Sequence, residues 1–358
     1  MAEIGFGIIG LGVGHSRAKL ATMTKGGRLV AVSDLLADRR AGAEKDFGVP
    51  AHEDYHKLLE RKDIDVIGIF TPAGNRRDIA LDALAAGKHV ICTKPMEVNI
   101  ARCDDMIAAA DKAGLHLVVD FGMRYAKSLR ALKKAMEDGV FGRLTMAKAE
   151  LRWYRNQEYY DWNGGWRGTW RLDGGGSLAN QTVHYIDQIQ WIMGPVASVF
   201  GYVGVFKHDV EAEDQGVAVI KWRNGAIGVI TGSTTSVPYV EMNVVEILGH
   251  RGCFVLSSTT GAYEKGARPG YEGVEAWDVI GDDGVIAHGR PIDVPDGPTH
   301  VIEDVVAMLT KGTEPMVTGR EGRKSVEILN GIYESAQSGR EVTFPLSKPF
   351  IPKGGYTR

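Results

Sequence analysis

At two places in this chain a glycine-rich segment lies next to residues that can bind a charged ligand or transfer a proton. The first segment is Gly10-Leu11-Gly12-Val13-Gly14-His15, directly after an apolar run. Glycines at such a turn let the backbone approach a pyrophosphate, and a helix that begins there presents its positive end. His15 occupies the usual third glycine position, so an ordinary strand-to-helix turn is the alternative. Because the segment follows the first predicted strand, we predict a dinucleotide site at residues 10–15.

A carboxylate, Asp34, ends the second predicted strand. At that position it accepts hydrogen bonds from both hydroxyls of an adenine ribose and repels a 2′-phosphate, which favours NAD over NADP. The alternative role is that of N-cap of the next helix. Arg39 and Arg40 follow closely and are able to meet a phosphate, so NADP stays possible. We predict that Asp34 and Arg39 contact the cofactor.

Two later strand ends carry Thr71-Pro72 and Thr93-Lys94-Pro95. Ligands of open parallel sheets bind outside the carboxyl ends of the strands, where these residues meet Gly10 and Asp34. A lysine beside a cationic ring has its ammonium form destabilised, and it can then act as a base on a substrate hydroxyl. Position alone fits a solvated strand-end lysine equally well.

The second glycine segment is Gly174-Gly175-Gly176, followed by Ser177 as a predicted N-cap. A helix that begins there places Asn180, His184 and Asp187 on one stripe. Such a stripe is often only an exposed polar face, but three glycines favour the close approach of a ligand or a second backbone. We predict that His184 carries a proton or orients a substrate hydroxyl.

The segment before this helix is rich in flat aromatic rings and arginines, which suit a polyhydroxylated ring with apolar C–H faces. An oligomer interface uses the same residue types and stays the alternative. The segment contains Trp153, Tyr154, Arg155, Tyr159, Tyr160, Trp162, Trp166, Arg167, Trp170 and Arg171. The candidate substrate-binding residues are Lys94, Arg124, Tyr154, Trp166, Arg167, Asn180 and His184.

Strands and helices alternate along the chain up to residue 121, and this alternation predicts a parallel sheet. The sheet must position the predicted cofactor-binding residues. The predicted strands are Phe6–Ile9, Leu29–Ser33, Val66–Phe70, His89–Cys92 and Leu117–Phe121. After residue 121 short β-rich runs with tight turns predict a large, mostly antiparallel open sheet. The fold class is therefore α/β: an N-terminal Rossmann doubly wound parallel sheet (residues 1–121) and a C-terminal α/β domain (residues 122–358).

The second domain is predicted to begin with a helix over 129–137 and a strand over 145–153, followed by the helix over 177–193. The further predicted strands are 198–205, 216–222, 226–236, 244–248 and 253–256, and helices over 300–311 and 320–338 close the chain, returning to pack on one of the domains.

Composition excludes several classes of partner. A net charge of −3 and the absence of a basic cluster argue against nucleic acid, and no apolar stretch reaches the ~18 residues of a membrane span. Three scattered cysteines indicate reduced thiols, no metal-ligand spacing and a cytoplasmic protein. Glycine is in excess, at 46 of 358 residues against about 7% on average, which fits turns and close backbone approaches.

Together these motifs resemble the glucose–fructose oxidoreductase, inositol dehydrogenase and rhizopine-catabolism (Gfo/Idh/MocA) family. The resemblance rests on the segments GIIGLGVGHS, VAVSD, AGKHVICTKP and GGGSLANQTVHYIDQIQW and covers nearly the whole chain. It implies NAD(P)-dependent hydride transfer at a secondary alcohol of a sugar, sugar derivative or cyclitol. It also implies a homo-oligomer, a dimer or tetramer, built by the open sheet.

The resemblance matches Lys94 and His184 to the family's active-site lysine and histidine. Thr93 stands where the family usually has glutamate, and Asn180 where it often has aspartate. An amide cannot relay a proton, so Lys94 and His184 would carry the acid/base chemistry. Two other functions fit the same fold: a redox-neutral, NAD-dependent glycoside hydrolase and a non-catalytic sugar-sensing or cofactor-sensing regulator.

Overall fold

The computed structural model describes residues 3–237, 240–261, 276–280, 286–288 and 296–353. The chain folds into two compact units. The first contains the residues up to Glu97, Ala101–Tyr125 and Asp296–Arg323, and the second contains Val98–Ile100, Ala126–Pro295 and Lys324–Arg358. The units therefore alternate along the chain, whereas the sequence analysis placed one boundary after residue 121. That single boundary stays a prediction.

The first unit is built on a parallel sheet of six described strands in the order β3-β2-β1-β4-β5-β6, which confirms the predicted Rossmann fold. Its strands are β1 Ile4–Ile9, β2 Gly27–Ser33, β3 Ala51–His52, β4 Val66–Ile69, β5 His89–Thr93 and β6 Leu117–Asp120. The helices of this part of the chain are α1 Gly14–Met23, α2 Ala37–Phe47, α3 His56–Leu59, α4 Arg76–Ala85 and α5 Ile100–Ala113.

Glycines follow the ends of two of these helices. Gly48 is the C-cap of α2 with a φ of 65°, and Gly114 directly follows α5 with a φ of 64°. Only a residue without Cβ adopts this left-handed conformation at no steric cost. The two-residue strand β3 was not predicted, because a run that short has no measurable periodicity.

A helix from late in the chain completes the core of the first unit. This helix, α9 (Val301–Lys311), buries Val301, Ile302 and Val305 in the same apolar cluster as Phe6 and Val32. Apolar burial on this scale is the main stabilising term for such a core. The first unit therefore depends on a segment about 180 residues after its last strand.

The second unit contains a sheet of nine described strands in the order β14-β13-β12-β11-β7-β10-β9-β8-β15. Neighbouring strands are antiparallel except β7 and β10, which are parallel, so the prediction of a mostly antiparallel sheet is confirmed. The strands are β7 Leu144–Arg152, β8 Val196–Gly204, β9 Gln215–Trp222, β10 Ile227–Ser233, β11 Val240–Gly249, β12 Gly252–Gly261, β13 Ala276–Ile280, β14 Ile286–His288 and β15 Val342–Thr343. The remaining helices are α6 Lys127–Glu137, α7 Gln157–Gly165, α8 Val183–Met193 and α10 Gly319–Ser338.

The predicted helix over residues 177–193 differs from the structure in its first turn. Leu178–Thr182 form a π-helical turn, and the regular helix α8 begins at Val183. A π turn widens the helix by one residue per turn, so the α-helical spacing that put Asn180, His184 and Asp187 on one stripe does not hold. Asp187 is buried and accepts a hydrogen bond from Ser325 Oγ at 3.2 Å.

Removing apolar volume from α9 is expected to destabilise the first unit. Ile302 is fully buried, so Ile302→Ala should lower the free energy of unfolding by about 2–5 kcal/mol. Met23→Ala, which truncates a side chain that is 69% exposed, is the matched control and should change it by less than about 0.5 kcal/mol. Urea unfolding followed by circular dichroism measures both. Equal effects of the two substitutions would show that α9 is not part of this core.

Candidate functional site

The first glycine segment forms the turn between β1 and α1. Gly10 has a φ of 85°, and a Cβ there would lie 2.9 Å from the backbone C and O of Phe70. Gly14 opens α1, and its Cβ would lie 3.1 Å from side-chain atoms of Ile8 and Phe70. At Gly12 the nearest atom is 3.7 Å away. Close packing therefore explains Gly10 and Gly14, whereas a Cβ at Gly12 would only make an ordinary contact with the guanidinium of Arg39.

Asp34 is the hub that holds this turn. Its Oδ2 accepts hydrogen bonds from the backbone N–H of Leu11 at 2.6 Å and from Arg39 Nη1 at 3.2 Å. Its Oδ1 accepts one hydrogen bond, from the N–H of Leu36 at 2.8 Å. A carboxylate oxygen has two lone pairs, so Oδ1 keeps the capacity to accept a further donor.

Three other predicted cofactor residues differ in their surroundings. Arg39 is ion-paired with Asp34. His15 makes a hydrogen bond with Asp46 at 3.0 Å, and its ring lies 4.8 Å from the ring of Phe47. Val13, at the N-cap position of α1, is exposed. The side chain of His15 is thus engaged with the end of α2.

A buried arginine joins the ends of β4 and β5. Arg76, at the start of α4, donates hydrogen bonds to the carbonyl oxygen of Thr71 from Nε at 2.9 Å and from Nη2 at 2.7 Å. Its Nη1 donates to the carbonyl oxygen of Thr93 at 2.9 Å and also to that of Pro95. Lys94 lies between these two anchored residues and is partly exposed. The sequence analysis did not identify Arg76, because nothing in its spacing reveals burial.

Arg124 lies in the first unit in an environment that its sequence position did not reveal. Its side chain is fully buried, and Nη1 lies 3.3 Å from Glu321 Oε2. Nearby in sequence, Asp120 is buried and accepts a hydrogen bond from Arg17 Nε at 2.7 Å. Arg124 therefore takes part in a half-buried ion pair of its own unit.

In the second unit, the carboxylate of Glu213 caps the helix that carries Asn180 and His184. Its Oε1 accepts hydrogen bonds from the N–H groups of Gly176 at 2.8 Å and Leu178 at 2.9 Å, and Oε2 accepts from the N–H of Ser177 at 3.1 Å. Ser177 occupies the predicted N-cap position, but its side chain makes no capping hydrogen bond. The prediction that the Ser177 side chain caps the helix is wrong, because the buried glutamate already holds the free N–H groups.

The three glycines before this helix make room for protein groups. A Cβ at Gly176 would overlap the backbone oxygen of Glu213, and a Cβ at Gly175 would overlap the hydroxyl of Tyr333. Tyr333 in turn donates a hydrogen bond to Glu213 Oε1 at 2.9 Å. Of the two explanations the glycine run allowed, approach of a second backbone is the one the structure contains.

Burial of Glu213 sets its acidity. Loss of solvation raises the pKa of this carboxyl to about 7, although hydrogen bonds from Leu178, Gly176 and Tyr333 act to lower it. The same loss of solvation, with the charge of Glu213, raises the pKa of Tyr333. The helix start is therefore held by a group that titrates near neutral pH.

Two hydrogen bonds join the aromatic segment to this helix. Asn180 Nδ2 donates to Asp173 Oδ1 at 2.8 Å, and Asp173 Oδ2 accepts from the N–H of Gly168 at 2.9 Å. Gln181 Nε2 donates to the hydroxyl of Tyr159 at 2.8 Å. His184 follows in the first turn of α8 and is partly exposed. Sequence reasoning missed Asp173, which orients Asn180.

The aromatic segment surrounds one arginine. The guanidinium of Arg167 lies 4.4, 5.1 and 4.8 Å from the ring centres of Tyr159, Trp162 and Trp166, within the range of cation–π attraction. Tyr154 instead contacts Lys207, whose Nζ lies 4.6 Å from its ring centre. Of the predicted substrate residues of this segment, Trp166 and Arg167 thus lie together, and Tyr154 has a different partner.

The described residues contain neither a metal cluster nor a membrane-spanning helix. No group of three or more His, Cys, Asp or Glu side chains there could hold a metal ion. None of the described helices is long and apolar enough to cross a bilayer. Cys92, Cys103 and Cys253 are free thiols, and burial raises the pKa of Cys92 to about 12.

Comparison with known proteins gives matches over both parts of the chain. Residues 4–121 match the model of the oxidoreductase family with an NAD-binding Rossmann fold, and residues 129–255 match that of the GFO/IDH/MocA C-terminal domain. Myo-inositol 2-dehydrogenase of Thermotoga maritima is 30% identical over 261 residues, which cover 69% of this chain and 73% of the relative.

Solved structures show the same architecture. The WlbA dehydrogenase from Bordetella pertussis, in complex with NADH and UDP-GlcNAcA, is 30% identical with a TM-score of 0.82, covering 96% of this chain and 100% of that one. A levoglucosan dehydrogenase in complex with NADH and L-sorbose, at 21% identity and a TM-score of 0.80, covers 96% of this chain and 100% of its own, and shows the fold.

The titration of Glu213 makes a pH prediction. Its pKa is about 7 in the folded chain against 4.5 for an ordinary glutamate, so the folded state holds this proton more tightly than the unfolded state. The contribution of Glu213 to stability is therefore greatest below about pH 4.5 and is lost as the pH rises through about 7, by at most about 3 kcal/mol.

Urea unfolding at pH 5, 6, 7 and 8 measures this effect. The free energy of unfolding of the natural chain, relative to Glu213→Gln, should fall as the pH rises across this range. Glu137→Gln, on the surface of α6, is the control and should follow the natural chain. Parallel curves for the natural chain and Glu213→Gln would contradict the assignment.

Proposed function

The chain belongs to the Gfo/Idh/MocA family of NAD-binding oxidoreductases, and from this we propose that it oxidises a secondary alcohol of a sugar, sugar derivative or cyclitol. The observation that carries the proposal is the arrangement at the sheet edge of the first unit. There Gly10, Asp34 and Lys94 follow the strands β1, β2 and β5 of one parallel sheet, at the edge where ligands of such sheets bind.

The residues at this edge fit a dinucleotide. The N–H groups that open α1 favour a pyrophosphate, and the absence of a side chain at Gly12 lets a ligand approach the backbone of the turn. Asp34 Oδ1 has capacity for a ribose hydroxyl, and the exposed Leu35 and Leu36 offer an apolar surface to adenine. Arg39 is already paired with Asp34, so we propose that NAD is preferred over NADP. NAD, when bound, supplies the acceptor for the hydride of the carbinol carbon.

Lys94 is proposed as the base, with its Nζ accepting the proton of the substrate hydroxyl. Support comes from the rigid backbone on both sides of it, since Arg76 anchors the carbonyl oxygens of Thr93 and Pro95. A side chain on an anchored backbone keeps the geometry that proton transfer requires. Thr71 and Pro72, at the end of β4, are proposed to contact the cofactor.

His184 is proposed to assist by orienting or exchanging the proton of the substrate hydroxyl. Its helix follows the Glu213 cap, so the direction of the first turns is set by three backbone hydrogen bonds to one carboxylate. Asn180 carries an amide that does not titrate, and its bonds to Asp173 fix its orientation. We propose that Asn180 positions substrate and transfers no proton.

The aromatic segment is proposed to recognise the sugar, through Tyr154, Trp166 and Arg167. Aromatic faces pack on the C–H faces of sugar rings, and the arginine donates to hydroxyl oxygens. The relatives named above act on or bind an inositol, a nucleotide sugar and a ketose by their printed names. We carry over to this chain only the class, a polyhydroxylated ring or its open form. Because the buried guanidinium of Arg124 is already paired with Glu321, we propose that Arg124 contributes less to substrate binding than the other residues named.

The open face of the second sheet is proposed to bind a second copy of the chain. On β8, β9 and β10 the exposed side chains include Tyr202, Val217, Val219 and Ile227. Contiguous exposed apolar side chains of this kind mark protein interfaces. A homodimer, or a tetramer made from two such dimers, would cover them.

Loss of Lys94 tests the proposed chemistry. Lys94→Met should lower kcat for NAD reduction by about 10²–10⁴-fold, because proton transfer from the hydroxyl loses its base. The substrate is first found by screening cyclitols, aldoses and glycosides with NAD for NADH formation at 340 nm. NADH affinity, measured by quenching of tryptophan fluorescence, then distinguishes a loss of chemistry from a loss of cofactor binding. Lys112→Met, an exposed residue of α5, is the control.

Near-natural turnover in Lys94→Met would refute the role of Lys94. Cleavage of a glycoside without accumulation of NADH would point to the redox-neutral alternative.

Cofactor choice tests the role of Asp34. The natural chain should show a kcat/KM for NAD roughly 100-fold or more above that for NADP, because the Asp34 carboxylate repels a 2′-phosphate. Asp34→Asn should reduce this ratio on the order of tenfold, whereas Asp111→Asn, on the exposed surface of α5, should leave it unchanged. Preference of the natural chain for NADP would overturn the assignment.

A further inference from the structure

Arg167 sits in a turn of unusual backbone conformation. Within the residues assigned to α7, Trp162 is extended (φ −59°, ψ 139°), and Asn163 is left-handed with a φ of 56°. Gly164 continues the turn with a φ of 82°. A left-handed residue other than glycine is uncommon and costs stability. This turn brings the Trp162 ring to 5.1 Å from the guanidinium of Arg167.

The guanidinium of Arg167 keeps most of its donors available. It donates one hydrogen bond, from Nη1 to the carbonyl oxygen of Tyr159 at 3.1 Å. Of the five N–H donors that a guanidinium carries, the others have no acceptor among the described residues. Arg155 in the same segment differs, because its Nη1 donates to Glu241 Oε1 at 2.9 Å.

Arg167 also lines a cavity of about 240 Å³, several times the roughly 30 Å³ share of one water molecule. The other lining residues are Asn156, Glu158, Tyr159 and Trp162. Glu158 does not neutralise the arginine, since no carboxylate oxygen among the described residues lies within 4.0 Å of its nitrogens. The cavity therefore presents a guanidinium that has no ion pair within 4.0 Å among the described residues, beside two aromatic rings.

This cavity is tied to the helix of the proposed active site. The Tyr159 hydroxyl accepts a hydrogen bond from Gln181 Nε2 at 2.8 Å. The N–H of Gly168, the residue after Arg167, donates to Asp173, which also holds Asn180. A ligand that contacts Arg167 is thus placed by the same network that orients the helix of His184.

We propose that Arg167 binds an anionic substituent of the sugar, a carboxylate or a phosphate, and so makes the enzyme selective for acidic sugars. The inference rests on the proposed dehydrogenase function and names its substrate class. A planar guanidinium forms paired, charge-assisted hydrogen bonds with either anion, which lysine does not match. The three neighbouring rings and the hydrogen bond to Tyr159 restrict the guanidinium before the ligand arrives, so less side-chain freedom is lost on binding.

Matched sets of sugars test the proposal. D-Glucose, D-galactose and D-mannose are each compared with their uronic acid and their 6-phosphate at a constant ionic strength of about 0.15 M. For each compound kcat/KM is measured by NADH formation, and affinity is measured independently by quenching of tryptophan fluorescence. The variants are Arg167→Gln, Arg167→Lys and, as a control for net charge, Arg152→Gln, whose exposed side chain pairs with Glu150.

The expected result is a preference of the natural chain for one anionic series by about 10- to 100-fold over the neutral sugar. Arg167→Gln should reduce this ratio at least about tenfold, Arg167→Lys should reduce it less, and Arg152→Gln should leave it unchanged. Preference for the uronic acid identifies a carboxylate, and preference for the 6-phosphate identifies a phosphate.

Several outcomes would overturn the inference. One is equal or better use of the neutral sugars by the natural chain. Another is an equal loss on neutral and anionic members in Arg167→Gln, which is the result of a purely structural role. Absence of binding by every anionic probe is the third. If anions bind to the natural chain and not to Arg167→Gln but no compound is oxidised, the inference holds and the dehydrogenase proposal fails.

Discussion

A buried carboxylate that replaces the missing partners of a helix start is the interaction on which the second unit depends. Glu213 lies on a different segment from the helix, 35 residues after the last N–H group that it accepts. It takes up three backbone donors and the Tyr333 hydroxyl. Its removal from water is costly, and only several donors together offset that cost. The close approach of Glu213 leaves no room for a Cβ at Gly176, and the helix that carries His184 begins directly after this cap.

The first unit uses charged groups in the same way, to hold backbone that has no regular partner. Asp34 accepts from the N–H groups of Leu11 and Leu36, and Arg76 donates to the carbonyl oxygens at two strand ends. Charge-assisted hydrogen bonds are stronger than neutral ones. Loop backbone beside the proposed sites of both units is thus held by single charged or titratable side chains, without secondary structure.

Features with a local cause were predictable from the sequence. The longer strands of the first sheet and the turn after β1 each depend on residues within a few positions, and these predictions are confirmed. The site residues were proposed from the same local patterns. Features with a distant cause were not predictable: the Glu213 cap, the hold of Asp173 on Asn180, and the burial of Arg76 and Arg124 arise from contacts that no spacing reveals. The π turn at Leu178–Thr182 was not predicted either, because the spacing of apolar residues does not distinguish a π turn from an α-helix.

The late arrival of α9 has a consequence for how the chain is made. Synthesis proceeds from the N-terminus, and domains usually fold as they emerge. Here the parallel sheet of the first unit is complete at Asp120, but Val301, Ile302 and Val305 of its core appear only when most of the chain has been translated. Until then, the surface of the sheet that α9 covers stays open to water. A nascent chain paused anywhere between these points exposes that apolar patch, which is where a chaperone would engage it.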